Sequence, residues 1–374
     1  MTKKRDRRRK IDLREEVGQL LIMGFDGTEM SPRLRTMIST LQPGGVILFR
    51  RNIEQVQQTY DLVRECRLPL KTPGYACVDL EGGAVDRFRD VIAPAPSAAE
   101  VWATGNKKCF RKHGYILGQE TRALGFNVDF APVLDLGFEA SRSVLTTRVV
   151  SDKPIETIMY ARELLRGLAD AGVLGCGKHF PGLGEGNLDS HHSMPVINKP
   201  KRLLWKEDLA PYRFLRRELP FVMVAHAAYP AMTKDKTPAS VSHKWITGVL
   251  RQRMGYSGVI VSDDLEMGGV QQAMPIEEAA VQCIRAGAHM FLVCHKEELV
   301  WKAYEHVLTT AEKDRAFAAL VVKAAKHVRI LKNRHKEKMK IARTPSKELI
   351  DRVRRQLWEF SEEIRLESAA REQA

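Results

Sequence analysis

The feature that most constrains this chain is the alternation of short apolar runs with longer segments whose apolar residues have helical spacing. Glycine or proline bounds the apolar runs, as is common for buried strands. The eight runs are residues 18–25, 44–49, 73–80, 125–135, 172–180, 220–229, 257–264 and 287–294. Because strands buried on both faces alternate with helices in parallel sheets, eight such units predict a closed (β/α)8 barrel.

The alternative to a closed barrel is a doubly wound open sheet. The dinucleotide-binding version of that sheet carries a G-x-G-x-x-G turn after its first strand, and no such turn follows residues 18–25 here. We therefore predict an α/β protein with one TIM-type barrel domain over residues 12–335. A basic disordered tail is expected over 1–11 and a helical extension over 336–374, with the last 60 residues helical throughout.

The net charge of +14 is concentrated in two segments. Residues 1–10 carry +6 and residues 323–343 carry +8, which together account for the whole excess. No aromatic stacking pattern accompanies these basic residues, so a solvated tail and a solvated helix face are predicted rather than a nucleic-acid partner. The sequence leaves the oligomeric state open.

The cellular compartment is predicted from what the sequence lacks. No apolar run approaches 20 residues, so no membrane span is expected. The basic N-terminus is followed by charged residues rather than by the apolar core of a secretory signal. The six cysteines form no C-x-x-C pair and several lie in apolar runs, as in a reducing compartment. These features favour a cytoplasmic protein.

Polar residues repeatedly follow the apolar runs at the point where a barrel strand would end. In TIM-type barrels the functional groups lie at the carboxyl ends of the strands, so these side chains are expected to converge on one rim. They are Asp79, Glu81, Asp129 or Asp135, Lys178, His179, His226, Asp263, Asp264 and His295. Such a convergence predicts an active site.

The stretch KHFPGLGEGNLDSHHSMP, residues 178–195, follows the fifth run and raises the question of a metal site. His191 and His192 are adjacent, so in an extended loop they point in opposite directions and cannot both bind one ion. The first run also lacks the H-x-H pair usual in barrel metallohydrolases. We expect no metal and no cofactor.

Several motifs together resemble a known family. They are GGVILFRRNI (44–53), VDLEGGAVDRFR (78–89), NVDFAPVLDL (127–136), KHFPG with a following DSH (178–191), HAAYPA (226–231) and GYSGVIVSDDLEM (255–267). From about residue 12 to about residue 335 the chain resembles bacterial β-N-acetylglucosaminidases of glycoside hydrolase family 3, the single-domain type of peptidoglycan recycling. KHFPG with DSH, followed by SDDLEM, is the most specific part of this combination.

The resemblance implies a role for three residues in catalysis. Asp263, the first aspartate of SDD, would be the nucleophile that forms a glycosyl-enzyme, with retention of configuration. His191 would be the acid/base, and Asp189 would orient it. The spacing of two residues places both side chains on one face of an extended segment. Asp264 is expected to point elsewhere and to serve as a structural hydrogen-bond acceptor.

The resemblance also implies sugar-binding residues. These are Asp79, Arg87, Arg148, Lys178 and His179, whose charged and polar groups suit hydroxyl and acetamido groups. The chain departs from the family pattern at four positions near these motifs, which are Ala84, Thr147, Val149 and Leu183. A surface ion pair is the alternative role for Arg87 and Arg148.

The implied function is hydrolysis of a terminal β-linked N-acetylglucosamine from a small glycan or muropeptide. Two alternatives stay open. The first is a phosphorylase, because a neutral histidine near the anomeric carbon repels phosphate less than a carboxylate would. The second is a catalytically inactive barrel that binds glycan.

Overall fold

The structure is a computed structural model, and it describes residues 11–186 and 194–372. Within these two ranges no helix combines the length and the apolar character needed to cross a membrane. The basic segment 1–10 lies outside the described residues, so its predicted disorder stays a prediction.

The predicted closed barrel is confirmed. The strands of the described chain, numbered β1 to β10 in chain order, are Leu21–Met23, Gly45–Ile47, Tyr75–Val78, Leu80–Gly82, Val85–Asp86, Val128–Asp129, Leu174–Phe180, Phe221–Val224, Val259–Asp264 and Met290–Val293. Eight of them are parallel and close in the order β1-β10-β9-β8-β7-β6-β3-β2, whereas β4 and β5 form a separate antiparallel hairpin. Because β1 pairs with both β2 and β10, the sheet has no edge and the open-sheet alternative is wrong.

Helices surround the barrel. The α-helices of the described chain, numbered α1 to α15, are Leu13–Gly18, Pro32–Leu41, Val56–Arg67, Ala98–Ala103, Lys107–Ala123, Arg142–Leu145, Pro154–Asp170, Lys201–Lys206, Ala210–Leu215, Pro230–Thr233, Gly268–Gln271, Ile276–Ala286, Glu297–Lys313, Arg315–Arg334 and Lys347–Glu372. Short 3₁₀ turns cover Arg50–Asn52, Glu139–Ser141, Thr146–Arg148 and Ala239–Val241, and a π-type helix covers Lys244–Arg253.

Alternate residues of each barrel strand face the interior and the helices, which explains why the strands are apolar on both faces. In β3, Tyr75 and Cys77 join the interior cluster, while Ala76 and Val78 pack in the outer core beneath the helices. The Tyr75 ring meets the Phe221 ring edge to face, with centroids 5.1 Å apart. The barrel interior is therefore filled by side chains, as is usual for this fold.

The C-terminal segment closes the amino-terminal end of the barrel. Met339 packs in the interior cluster, and the buried ammonium of Lys332 donates to Gln19 Oε1 and to the carbonyl of Gly44, both at 2.9 Å. The prediction that the last 60 residues are helical throughout is wrong for 335–346, which separate α14 from α15. Pro345 disfavours helical backbone at the preceding residue, and carbonyls of this segment accept hydrogen bonds from Arg67 and Arg122.

Candidate active site

A cavity of about 270 Å³ opens at the carboxyl ends of the barrel strands. Its wall contains six of the eight site residues predicted from the sequence, namely Asp79, Arg87, Arg148, Lys178, His179 and Asp263. The other two, Asp189 and His191, lie outside the described residues. Of the polar residues expected to converge on one rim, seven line the cavity, namely Asp79, Glu81, Lys178, His179, Asp263, Asp264 and His295, whereas Asp129, Asp135 and His226 do not.

Buried ion pairs form one side of the cavity. The ammonium of Lys178 lies 2.7 Å from Asp79 Oδ1 and 2.6 Å from Glu81 Oε1. Arg148 binds Glu81 in a bidentate manner, with both N–O distances 2.8 Å. Only 17% of the Arg148 side chain and 4% of the Glu81 side chain are exposed, so the surface ion pair considered for Arg148 is wrong.

These contacts keep the network ionised. Burial by itself would raise the pKa values of Asp79 and Glu81. Lys178 and Arg87 instead lower the pKa of Asp79 below its ordinary value, and Arg148 and Lys178 do the same for Glu81. Burial would likewise lower the pKa of Lys178, and its two carboxylate partners instead raise it. The cavity therefore presents fixed charges to a ligand at neutral pH.

The β4–β5 hairpin brings Glu81 and Arg87 to the cavity. Gly82 ends β4 with φ +79°, and a Cβ there would approach the carbonyl oxygen of Pro96 to 2.1 Å, so this position requires glycine. The carboxylate of Asp86 accepts the backbone N–H groups of Phe88 and Ala95, both at 2.9 Å. These bonds hold the segment that follows the hairpin.

His179 is oriented by Asp135. The Nδ1 atom of His179 lies 2.7 Å from Asp135 Oδ2, and Asp135 Oδ1 accepts the backbone N–H of Leu183 at 2.7 Å. Since a carboxylate oxygen accepts, Nδ1 carries a proton and Nε2 is left for a ligand, with no hydrogen-bond partner in the described part of the chain. The side chain of Leu183 also lines the cavity, whereas Ala84 is exposed at the hairpin turn.

Asp263 is a residue of β9 close to its carboxyl end. Its Oδ1 atom accepts the backbone N–H of Asp264 at 2.9 Å, and Oδ2 has no hydrogen-bond partner among residues 11–186 and 194–372. Asp264 accepts the backbone N–H of Glu266 at 3.0 Å and contacts His295 at 3.3 Å, which fits the predicted role as an acceptor. Its side chain nevertheless lines the same cavity, so the expectation that it points elsewhere is wrong.

His226 supports the same strand end from behind. Its Nε2 atom lies 2.8 Å from the carbonyl oxygen of Asp264, and its Nδ1 atom lies 2.7 Å from the hydroxyl of Ser240. Burial lowers the pKa of His226, with Asp263 and Asp264 acting against that effect. A neutral ring that donates from Nε2 and accepts at Nδ1 satisfies both contacts.

The outer wall of the cavity contains an aromatic surface. Phe49 and His295 are stacked, with ring centroids 5.3 Å apart, and the guanidinium of Arg51 lies 4.8 Å from the Phe49 centroid. Phe49 was not among the predicted site residues, although it closes the second apolar run. The sequence identifies Glu81, Asp135 and His295 only as polar residues that follow predicted strands. Their place at the ends of those strands is the one sequence signal for a role at the site.

A cluster of potential metal ligands lies outside the cavity. Among the described residues, the one group of three potential ligands with suitable spacing is Cys109, Glu363 and Glu367, between α5 and α15. Burial, with the two glutamates adding to it, raises the pKa of Cys109 to about 12 and keeps it a thiol. Lys112 and Asn106 already bind the two carboxylates. This cluster therefore contributes nothing to the cavity.

The chain is similar to named glycoside hydrolases. The chain is 38% identical to a beta-hexosaminidase of Bordetella parapertussis over 281 residues, which cover 73% of this chain and 79% of that protein. A glycoside hydrolase family 3 beta-N-acetylglucosaminidase from Paenibacillus sp. superposes with a TM-score of 0.86 at 33% identity, covering 92% of this chain and 68% of that one.

A further solved structure is NagZ from Neisseria gonorrhoeae in complex with zinc ion. It superposes with a TM-score of 0.68 at 28% identity, covering 82% of this chain and 97% of that one. Residues 12–331 match the model of the glycosyl hydrolase family 3 N terminal domain. The resemblance found in the sequence is thereby confirmed, and the chain belongs to glycosyl hydrolase family 3.

Proposed function

We propose that this protein is a retaining exo-β-N-acetylglucosaminidase that releases terminal N-acetylglucosamine from peptidoglycan fragments in the cytoplasm. The observation that carries the proposal is that Asp263 shares one cavity with the buried cluster of Asp79, Glu81, Lys178 and Arg148. Relatives of this family that bear the name beta-hexosaminidase support the choice of sugar.

The size of the cavity supports removal of a single terminal sugar. Its volume of about 270 Å³ is slightly below the range typical of pockets for drug-sized ligands. A cavity of this size suits one sugar ring, with the rest of the glycan outside. The stacked pair of Phe49 and His295 in its wall then offers an aromatic surface to the sugar or to the leaving group.

The ionised network supports recognition of hydroxyl groups. Asp79 accepts hydrogen bonds from hydroxyls, whereas Lys178, Arg148 and Arg87 donate to hydroxyl or acetamido oxygens. Because the ion pairs hold these groups in place before substrate arrives, little ordering is needed on binding.

In the proposed mechanism, Asp263 Oδ2 attacks the anomeric carbon, since Oδ1 accepts the N–H of Asp264. The bond to the leaving oxygen breaks, and His191 transfers a proton to that oxygen. His191 then removes a proton from water, which attacks the glycosyl-aspartate and frees the sugar and Asp263. Asp189 orients His191. The roles of these two residues are assigned from the sequence.

The charge balance of the cavity favours hydrolysis over phosphorolysis. Apart from His179, His295 and Cys294, the described ionisable residues that line it are three cations, Arg87, Arg148 and Lys178, and five carboxylates, Asp79, Glu81, Asp263, Asp264 and Glu266. An excess of carboxylates repels phosphate, whereas water is unaffected.

The test is turnover of 4-nitrophenyl β-N-acetylglucosaminide, with products analysed in phosphate buffer and in a non-phosphate buffer. We expect free N-acetylglucosamine of β configuration at first release in both buffers, and unchanged rates in EDTA. Sugar 1-phosphate would show a phosphorylase, and saturable sugar binding without turnover would show an inactive glycan-binding barrel. Loss of activity in EDTA with recovery on adding zinc would contradict the metal-free mechanism.

A further inference from the structure

A second cavity, of about 510 Å³, lies at the opposite end of the barrel from the candidate active site. It is bounded by the π-type helix Lys244–Arg253, by residues 287–289 before β10, and by α14. Since His289 precedes β10 and His295 follows it, the two cavities lie at opposite ends of that strand. We refer to it as the basic cavity.

The basic cavity has many cationic groups and no acidic group among the described residues that line it. The lining side chains that are or can become positively charged are His243, Arg251, Arg285, His289, Lys323 and His327. Arg285 is paired with Asp314 at 3.0 Å and is neutralised by it. The others have no carboxylate partner within ion-pair distance in the described chain.

Arg251 is the centre of this arrangement. Its guanidinium donates to the carbonyl oxygens of Tyr256 and Gly258 and contacts the ring of His289 at 2.7 Å. Carbonyl groups satisfy N–H donors but do not cancel a charge. Because no carboxylate offsets the effect of burial, the pKa of Arg251 is lowered to about 10. The guanidinium is still protonated at neutral pH.

Two histidines beside Arg251 are held neutral by their surroundings. The rings of His289 and His327 are stacked with centroids 4.2 Å apart and nearly parallel planes. His289 Nδ1 accepts the backbone N–H of Ile260, and His327 Nε2 contacts the carbonyl of Ser257. Burial is the main cause that lowers the pKa values of both histidines, and the charge of Arg251 is the second. His327 and Lys323 add to the effect on His289, and Arg334 adds to the effect on His327.

We propose that the basic cavity binds a phosphoryl group, either as inorganic phosphate or as part of a small organic phosphate, through Arg251, Lys323 and the His289–His327 pair. Guanidinium and ammonium groups are the usual partners of phosphate oxygens. Leu320 and Ala324 form an apolar wall beside these groups, so the cavity has room for the carbon skeleton of an ester. Lys323 and His327 of this site belong to the basic segment 323–343, and the site does not depend on the proposed glycosidase activity.

The proposal makes anion binding dependent on pH. A bound anion stabilises the protonated form of His327, so a proton is taken up on binding and affinity increases as pH falls. His289 stays neutral, because its Nδ1 atom accepts the N–H of Ile260. The groups facing the pair are Arg251 from the π-type helix, and Lys323 and Arg334 from α14. Sulfate is the appropriate probe for this effect, because its own charge is constant between pH 7.5 and pH 6, whereas that of phosphate is not.

The test is calorimetric titration of the full chain with inorganic phosphate and, separately, with a hexose 6-phosphate, at constant ionic strength. We expect saturable binding of at least one of them, and the tighter ligand identifies the natural source of the phosphoryl group. Sulfate is expected to bind more tightly at pH 6 than at pH 7.5. Absence of saturable binding of both phosphates, or sulfate affinity that does not increase at pH 6, would overturn the proposal.

Variants locate the site. Arg251→Gln should weaken binding about 10-fold, since it removes a charged donor. Lys323→Gln, at an exposed position where folding is not at risk, should weaken it about 3-fold. Lys326→Gln is the matched control, because it removes the same charge from the same helix outside the cavity wall. Equal loss in Lys323→Gln and Lys326→Gln, or undiminished binding by a folded Arg251→Gln variant, would show that the cavity is not the site.

Discussion

His226 donates its Nε2 proton to the carbonyl oxygen of Asp264, 2.8 Å away, and so anchors the peptide that follows the proposed nucleophile Asp263. The hydroxyl of Ser240 fixes the opposite ring nitrogen at 2.7 Å. His226 thus holds the end of β9 without touching the cavity, and we regard it as a positioning residue.

The first prediction concerns this anchor. His226→Ala should lower kcat about 10-fold or more with little change in KM, because the nucleophile is less well placed while the sugar contacts remain. It should also lower the free energy of unfolding by about 1–3 kcal/mol, since the Asp264 carbonyl loses its buried partner. Steady-state kinetics and urea unfolding measure the two effects. His226→Gln, which keeps a donor, should recover part of kcat; an unchanged kcat in a destabilised His226→Ala variant would indicate a purely structural role.

The second prediction concerns Asp263. Asp263→Ala should reduce turnover on the order of 10³-fold or more and leave the melting temperature nearly unchanged, because a covalent step is lost while the partly buried side chain makes only one hydrogen bond among the described residues. Asp152→Ala, at an exposed carboxylate outside the cavity, is the control. A mechanism-based fluoro-sugar should label Asp263, and a label on any other carboxylate would refute the assignment.

The third prediction concerns His191. A nitrophenolate leaves readily without a proton, so His191→Ala should slow the first step little for nitrophenyl substrates and the second step strongly. Glycosyl-enzyme should then accumulate, and rapid mixing should show a burst of nitrophenol. Disaccharides, with poor leaving groups, should be slowed in both steps. Equal impairment on both substrate types without a burst would contradict the acid/base role.

Two neighbouring variants serve as references for the third prediction. Asp189→Ala should show the same pattern more weakly, because it removes only the orienting carboxylate. His192→Ala should have little effect, since the adjacent side chain faces the other way in an extended loop. A His192→Ala variant with the larger defect would transfer the proposed role to His192.

The fourth prediction concerns the buried pair of Glu81 and Arg148. Glu81→Gln removes the negative charge that Arg148 and Lys178 share. It should therefore lower the free energy of unfolding by about 3 kcal/mol at pH 7. Because the folded pKa of Glu81 is below its unfolded value of about 4.3, the contribution of the carboxylate is fully present above that pH. It is lost as pH falls towards the folded pKa.

Urea unfolding of wild type and Glu81→Gln at pH 7, 5, 4 and 3 measures this effect. The difference in stability should be constant between pH 7 and pH 5 and should decrease below about pH 4. Glu139→Gln, at a position where 80% of the side chain is exposed, should show only a small difference throughout. A Glu81 difference that grows as pH falls would contradict the ionised state assigned here.

The amino-acid sequence by itself determined the barrel and most of the cavity. The alternation of apolar runs with amphipathic segments indicates which residues are buried and how they are spaced along each strand or helix. This pattern can be read from residues that are close together in the sequence. Polar residues after those runs, such as Asp79, Lys178 and Asp263, are placed on one rim as soon as the strands are parallel. Strand ends were less well predicted: the run 125–135 contains only the two-residue strand Val128–Asp129.

Only the tertiary structure decided which of these residues are partners. Glu81 and Arg148 are 67 positions apart, and Asp135 and His179 are 44 apart. Phe49 follows β2 and stacks on His295, which follows β10, because both strands are neighbours of β1 in the closed barrel. The basic cavity likewise depends on His289 and His327 meeting from different elements. Such distances depend on strand register and on the packing of distant side chains, and no local pattern encodes them.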